Sequence, residues 1–292
     1  MLRKRNKLND IRIFFRRLFH RKIVIVGMVI VVLFILAAIF AKAIAPYSPY
    51  EVNLKHALES SSPSHILGTD ENGRDVLSRV LYGARTSLLI GLVAVLFASM
   101  VGIFLGIMAG YVGGVVDVVI SRLMDAIMSI PDIMLALALG LVLGNSIPSL
   151  MLILGISTIP TYARIMRAQV MSIRNSDFIM AEKIIGASTW RITLKHILPN
   201  CISPMIVLIT QNIGNTILTE ATLSFVGLGV NPPTPSWGGM VNDGYIYLLS
   251  NPVYSLAPGL CVMLLVFGFN VVGDGLRDVL DPRLRGTLAQ NK

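Results

Sequence analysis

Apolar positions in this chain come in long blocks, separated by shorter polar stretches. Predominantly apolar runs cover Ile23 to Ala41, Ser87 to Ala109, Val118 to Leu143, Ile147 to Tyr162, Ile202 to Thr219 and Leu256 to Val272. Runs of this length suit helices that cross a hydrocarbon layer about 30 Å thick. A backbone inside lipid has to satisfy its own hydrogen bonds. The pattern therefore predicts an all-α integral membrane protein with six transmembrane helices.

Several polar or small residues interrupt these runs. Gly102, Gly106 and Gly110 recur every fourth residue, a stripe that lets another helix approach closely. Arg122 and Asp125 are three apart on the third run and share a helix face, where they can pair. They are either functional charges within the membrane or residues at its edge, with Arg122 reaching out to the headgroups. Pro131 ahead of Asp132 predicts a kink in the same run. Gln211 and Asn215 share a face of the fifth run, so they either hydrogen-bond a neighbouring helix or line a polar pathway.

The stretches between the runs set the organisation. Residues 1–22 carry nine Lys and Arg against the single acid Asp10, with Phe14, Phe15, Leu18 and Phe19 at helical spacing. This reads as an amphipathic segment on an anionic leaflet. The first run, within residues 23–45, exceeds the usual signal-peptide core of about 7–15 residues, so it reads as an uncleaved span despite Ala43-Ile44-Ala45. Residues 46–85 read as an extracytoplasmic loop ending in a surface helix. A core of five spans follows over 86–273, with a polar loop at 168–200 and a tail at 274–292. Residues 222–250 form another outside loop, whose Trp237, Tyr245 and Tyr247 suit the headgroup level. With six spans, the basic N-terminus, the Arg164-to-Lys195 region and the tail all fall on one side, the cytoplasm.

Composition agrees with this picture. The 292 residues are 54% hydrophobic and only 14% charged, against roughly 25% charged in soluble domains. The net charge of +9 sits at the ends of apolar runs, so it points to membrane orientation and not to nucleic acid. There is no phosphate-binding GxxxxGK[ST] loop, no HExxH and no GxSxG. The four histidines are scattered, so no metal set, catalytic set or bound cofactor is expected. A transporter without its own nucleotide site uses an ion gradient or borrows a motor. An ion-driven secondary transporter would be expected to show paired inverted repeats, and no convincing repeat is visible.

The longest polar interruption of the second half is Asp177 to Asn200, DFIMAEKIIGASTWRITLKHILPN. It reads as two short helices, the first capped by Asp177 and ended by Gly186, the second capped by Ser188 or Thr189 and limited by Pro199. Trp190, Leu194 and Ile197 give the second helix an apolar face, to be buried on its own bundle, on lipid or on a soluble partner.

Ala181, Gly186, Ala187, Ser188 and the ending His196-Ile197-Leu198-Pro199-Asn200 closely resemble the EAA loop of ABC importer permeases. Met180 stands where that family commonly has glutamate, and Glu182 follows two residues later. The resemblance continues through Leu67-Gly68-Thr69-Asp70, Gly73-Arg74-Asp75-Val76-Leu77-Ser78-Arg79, Leu223-Ser224-Phe225-Val226-Gly227-Leu228-Gly229, Pro235-Ser236-Trp237-Gly238 and Gly273-Asp274-Gly275-Leu276-Arg277-Asp278. These stretches are similar to the C-type permease subunits of peptide/nickel importers. The resemblance implies a type I ABC importer permease fold in a prokaryotic cell membrane. It also implies a B-type permease partner, two cytoplasmic ATPase subunits that bind the ATP, and an extracytoplasmic solute-binding protein. The Asp177–Asn200 loop, with Glu182, Arg191 and His196 among its polar residues, would couple the ATPases to transport of short peptides, with nickel or another small solute as the alternative cargo.

Overall fold

The computed structural model describes residues 16, 18–19 and 21–280. The basic segment at the N-terminus lies almost entirely outside the described residues, as do the last twelve of the tail. Among the described residues, five helices are long and apolar enough to cross a membrane, and a sixth crossing is available if one bent pair counts as a span. We number them α1 (Lys22–Ile44), α2 (Val76–Ile107), α3 (Gly114–Met128), α4 (Asp132–Leu143), α5 (Ile147–Ile173), α6 (Asp177–Ile184), α7 (Thr189–Ile192), α8 (Leu198–Leu223), α9 (Trp237–Tyr245) and α10 (Pro252–Leu280).

The third apolar run is not one straight span. α3 and α4 meet at 89° across Ser129-Ile130-Pro131. Proline lacks the amide donor and pushes its predecessor out of the helical region, so the expected kink becomes a break. The surface helix expected before the second span is also absent, because residues 76–85 are the first turns of α2. The Asp75 carboxylate caps that helix by accepting from the Ser78 amide at 2.8 Å. Likewise α5 runs on to Ile173, and α10 carries Asp274, Arg277 and Asp278 inside the helix.

Glycines set the closest contacts. A Cβ on Gly102 would stand 2.5 Å from the Tyr162 Cβ and 2.8 Å from the Ile159 carbonyl oxygen. On Gly106 it would stand 2.6 Å from the Ala163 carbonyl oxygen, and on Gly110 2.8 Å from the Val170 Cβ. The stripe is thus the seam along which α2 and α5 lie side by side. Its order shows that these two helices run in the same direction. The same reasoning sets α10 antiparallel to α8, through Gly214 on Phe269 and Gly273 on Gln211, and antiparallel to α1, through Gly27 on Val271 and Gly275 on Val24. The start of α1, the turn after α2, the 177–200 elbow and the end of α10 therefore share one end of the bundle. The 46–75 loop and the 229–251 segment share the other.

That other end is closed by a buried ionic network. Asp70 accepts from the backbone amides of Asn72 and Arg74 and from the Arg74 Nε at 2.6 Å. The Arg79 Nε lies 3.3 Å from the same carboxylate, and its NH1 donates to the carbonyls of Pro49 at 3.2 Å and Pro233 at 3.4 Å. Tyr254 donates to Glu71. Burial, and then the neighbouring Glu71 carboxylate, pushes the Asp243 carboxyl above the usual carboxylate range. Trp237 is not at headgroup level but fully buried, its Nε1 donating to the Val80 carbonyl at 2.9 Å and its ring edge-on to Phe34.

Candidate coupling site

The elbow is built from the sequence in a direct way. Ser176, and not Asp177, is the residue that precedes α6, and its hydroxyl turns back to the Ile173 carbonyl. Asp177 is the first helical residue, so its charge faces the positive helix end without capping it by a hydrogen bond. α6 ends as expected at Gly186, where φ is +76°. The Gly186 amide donates to the Lys183 carbonyl and the Ala187 amide to the Glu182 carbonyl, a Schellman ending. Ser188 then caps α7 by accepting from the Arg191 amide at 3.4 Å.

Pro199 does not end the second helix. α7, a π-helical turn at Thr193–Ile197 and α8 follow one another without a break, so the elbow is continuous with the fifth span. The π turn explains how proline is tolerated: the ladder is already widened there, with the Leu198 amide bonded to the Thr193 carbonyl. The Asn200 side chain donates to the His196 carbonyl at 2.7 Å.

The buried side of the elbow differs from the expected stripe. Ile179, Ile192 and Ile197 are the anchors, packed with Met166 and Val170 of α5 and Ile107 of α2. Trp190 and Leu194 point outward, Trp190 at 66% exposure. With Phe178, Met180, Ile184 and Ile185 they leave an apolar face uncovered, Ile184 at 85% exposure. Ala181, Ser188, Arg191, Pro199 and Asn200 are exposed as well, while Ala187 and Leu198 are half-buried. Glu182 faces inward: its carboxylate lies 3.2 Å from the His196 Nε2. Lys183 sits over the Tyr111 ring at 5.5 Å, which joins the elbow to the end of the second span.

Other polar positions fall into place around this site. Gln211 donates to Asp274 of α10 at 2.9 Å, whereas Asn215 lies exposed on the same face. Arg122 stands 3.9 Å from Asp125, and the tighter partner of Asp125 is Arg164 at 2.5 Å. Two features escaped sequence reasoning. Asp117 is held by Arg167 through both oxygens, at 2.5 and 2.7 Å, and its spacing of eight from Asp125 was the available signal. Glu220 is fully buried between the hydroxyls of Ser87 and Ser224, at 3.1 and 2.8 Å, a pairing no local pattern reveals. Among the described residues no three His, Cys, Asp or Glu side chains stand together as a metal site.

Long helices around a broken span, with a half-anchored elbow at one end, define a multi-pass membrane permease. The chain belongs to the family described as "Binding-protein-dependent transport system inner membrane component", whose sequence model matches residues 102–286. A second model, "N-terminal TM domain of oligopeptide transport permease C", matches residues 11–63. The chain is 43% identical over 271 residues to the dipeptide transport system permease protein DppC of Alkalihalophilus pseudofirmus, covering 93% of this chain and 89% of that protein. It is 40% identical over 258 residues to the probable D,D-dipeptide transport system permease protein DdpC of Escherichia coli, covering 88% and 87%. Among solved structures, an inward-facing MetNI methionine ABC transporter superposes with a TM-score of 0.56 at 20% identity, covering 70% of this chain and 97% of that one. That likeness concerns the fold.

Proposed function

We propose that this chain is the transmembrane permease subunit of an ATP-driven importer of short peptides. It works by alternating access with a second, B-type permease in a prokaryotic cytoplasmic membrane. An extracytoplasmic binding protein delivers the peptide, and two ATPase subunits bind and hydrolyse the ATP. The observation that carries this reading is the elbow. It is fastened to the spans by Ile179, Ile192 and Ile197, it is continuous with α8, and it leaves Trp190, Ile184 and Ile185 uncovered. A face of that kind, on a lever joined rigidly to a span, fits a soluble motor that pushes it. The dipeptide cargo in the names of the two relatives supports the substrate class.

Orientation follows from the basic residues. Arg21, Lys22, Arg164, Arg167, Arg174, Lys183, Arg191 and Lys195 cluster at the elbow end, which we assign to the cytoplasm. Gln211 and Asn215 on α8 form the polar strip we assign to the pathway. The test is a single cysteine at Lys183 in a background lacking Cys201 and Cys261. In intact cells a membrane-impermeant maleimide leaves it unlabelled, and in inverted vesicles it is labelled unless the ATPases are bound. Labelling from outside overturns the assignment. Reconstitution with both ATPases and a peptide-binding protein is expected to give ATP-dependent dipeptide uptake.

A further inference from the structure

A cavity of about 490 Å³ opens between α3 and α5 on the elbow side of the bundle. That volume lies within the roughly 300–1,000 Å³ range of small-molecule sites. Its polar lining is Asp117, Ser121, Arg122, Asp125, Arg164 and Arg167, three guanidinium groups against two carboxylates. The groups are not equally engaged. Asp117 is saturated, by both Arg167 contacts and by the Ser121 hydroxyl at 3.2 Å. That pair and the Asp125–Arg164 pair both clasp α3 to α5. Asp125 gives Oδ1 to Arg164 at 2.5 Å and turns Oδ2 toward Arg122 at 3.9 Å, beyond hydrogen-bond length. The Arg122 side chain is 81% exposed. It adds a surplus positive charge that neither clasp uses, on a helix pair that is apolar enough to enter the membrane.

We propose that this cavity is a peptide subsite at the elbow end of the bundle, distinct from the Gln211–Asn215 strip on α8. Arg122 receives the terminal carboxylate of the cargo, and the free edge of Asp125 receives its ammonium group. The assignment rests on the peptide-importer reading above and adds to it a location and a recognised group. The chemistry is specific. A guanidinium presents a planar fork of donors that matches a carboxylate in bidentate fashion, and placing an acid beside it favours a zwitterion over a simple anion. A site with two paired clasps and one cation left over also binds weakly enough to release, because the Arg122 and Asp125 side chains it offers are both open to water.

The experiment measures binding of alanylalanine and of its C-terminal amide to the purified permease–ATPase complex, without binding protein and without nucleotide, by calorimetry. The wild-type complex is expected to prefer the free acid. Arg122→Gln is expected to lose at least about tenfold in affinity for the free acid, as removal of one charge-assisted pair predicts, with the amide unchanged. Arg122→Lys is expected to recover part of the preference. Equal loss for both peptides, no loss, or no preference in the wild type overturns the subsite. The same titration is repeated on the complex in vesicles of stepped anionic-lipid content, and a change in Arg122→Gln that follows that content and not the peptide terminus also overturns the subsite, by assigning Arg122 to headgroups. ATP-driven uptake of alanylalanine by the reconstituted wild-type system separates the two readings. Uptake without Arg122-dependent binding defeats the subsite alone, whereas no uptake defeats the peptide-importer reading.

Discussion

Glu182 and His196 stand 3.2 Å apart across the elbow, tying the end of α6 to the π turn that leads into α8. Both side chains are about four-fifths buried. The acid that follows Met180 is therefore turned into the chain, while Ile184, Ile185 and Trp190 stay exposed on the outward side. The two halves of the lever meet at this contact as well as being joined by the backbone.

Replacing either partner should loosen that joint. Glu182→Gln and His196→Gln are each expected to lower peptide uptake per ATP hydrolysed, and by similar factors. The double variant should be no worse than either single one, because the second change removes nothing that is still formed. Uptake and ATPase rates measured on the same reconstituted complexes check this. Strictly additive losses would mean the two residues act separately.

The α2–α5 seam predicts a different kind of failure. Gly106→Ala places a methyl group 2.6 Å from the Ala163 carbonyl oxygen, where only a shift of one helix gives room. Overpacking of this sort costs about 1–3 kcal/mol. The expected result is lower thermal stability in detergent and a smaller monodisperse fraction. Gly259→Ala is the control: its Cβ would meet only a Val241 methyl at 3.8 Å, so it should be neutral or slightly stabilising.

How much of this was legible in advance depended on the range of the interaction. Blocks of apolar residues and the four-residue glycine period are local, and they pointed to the long helices and the packing seam but not to the break in the third run. Gly186 and Ser188 were legible for the same reason, since a left-handed turn and a helix cap are decided within five residues. The misreadings of the two tryptophans were decided elsewhere in the chain, and that of Pro199 by a local change of helix type. Trp237 looks interfacial until α2 supplies the Val80 carbonyl and α1 supplies Phe34. Pro199 looks like a stop until the π turn ahead of it removes the need for its amide. Trp190 and Ile192 could each have been the buried residue, and the choice was made by Met166 and Val170 on another helix.

The outer network should respond to mutation according to how many cations lose their partner. Asp70→Asn leaves the buried guanidinium groups of Arg74 and Arg79 short of a counter-charge. Breaking a buried pair in this way costs about 3–5 kcal/mol, so little folded protein should reach the membrane. Arg79→Lys keeps the charge but cannot reach Asp70 and the carbonyls of Pro49 and Pro233 together. It should be milder, with folded protein recovered at a lower melting temperature. Immunoblots of membrane fractions and thermal shift of the purified protein check both.

Gly186 gives the sharpest test of the lever because its backbone and its surroundings make opposite demands. At φ +76° an L-residue is strained by about 1 kcal/mol or more. Yet a Cβ there would meet nothing within 4 Å, so no packing is lost. Substitutions should therefore act through the turn angle and leave assembly intact. Asparagine tolerates this region best, alanine less well and β-branched valine least. Uptake should fall in the order Gly, Asn, Ala, Val at equal protein in the membrane. Gly186→Asp adds a charge beside the uncovered faces of Ile184 and Ile185, where an apolar contact with the motor is proposed. Uptake should then be abolished although strain alone predicts a milder loss. Normal uptake by Gly186→Asp would remove the elbow from the coupling mechanism. A loss in all four variants that tracked lower membrane abundance would assign Gly186 to folding alone.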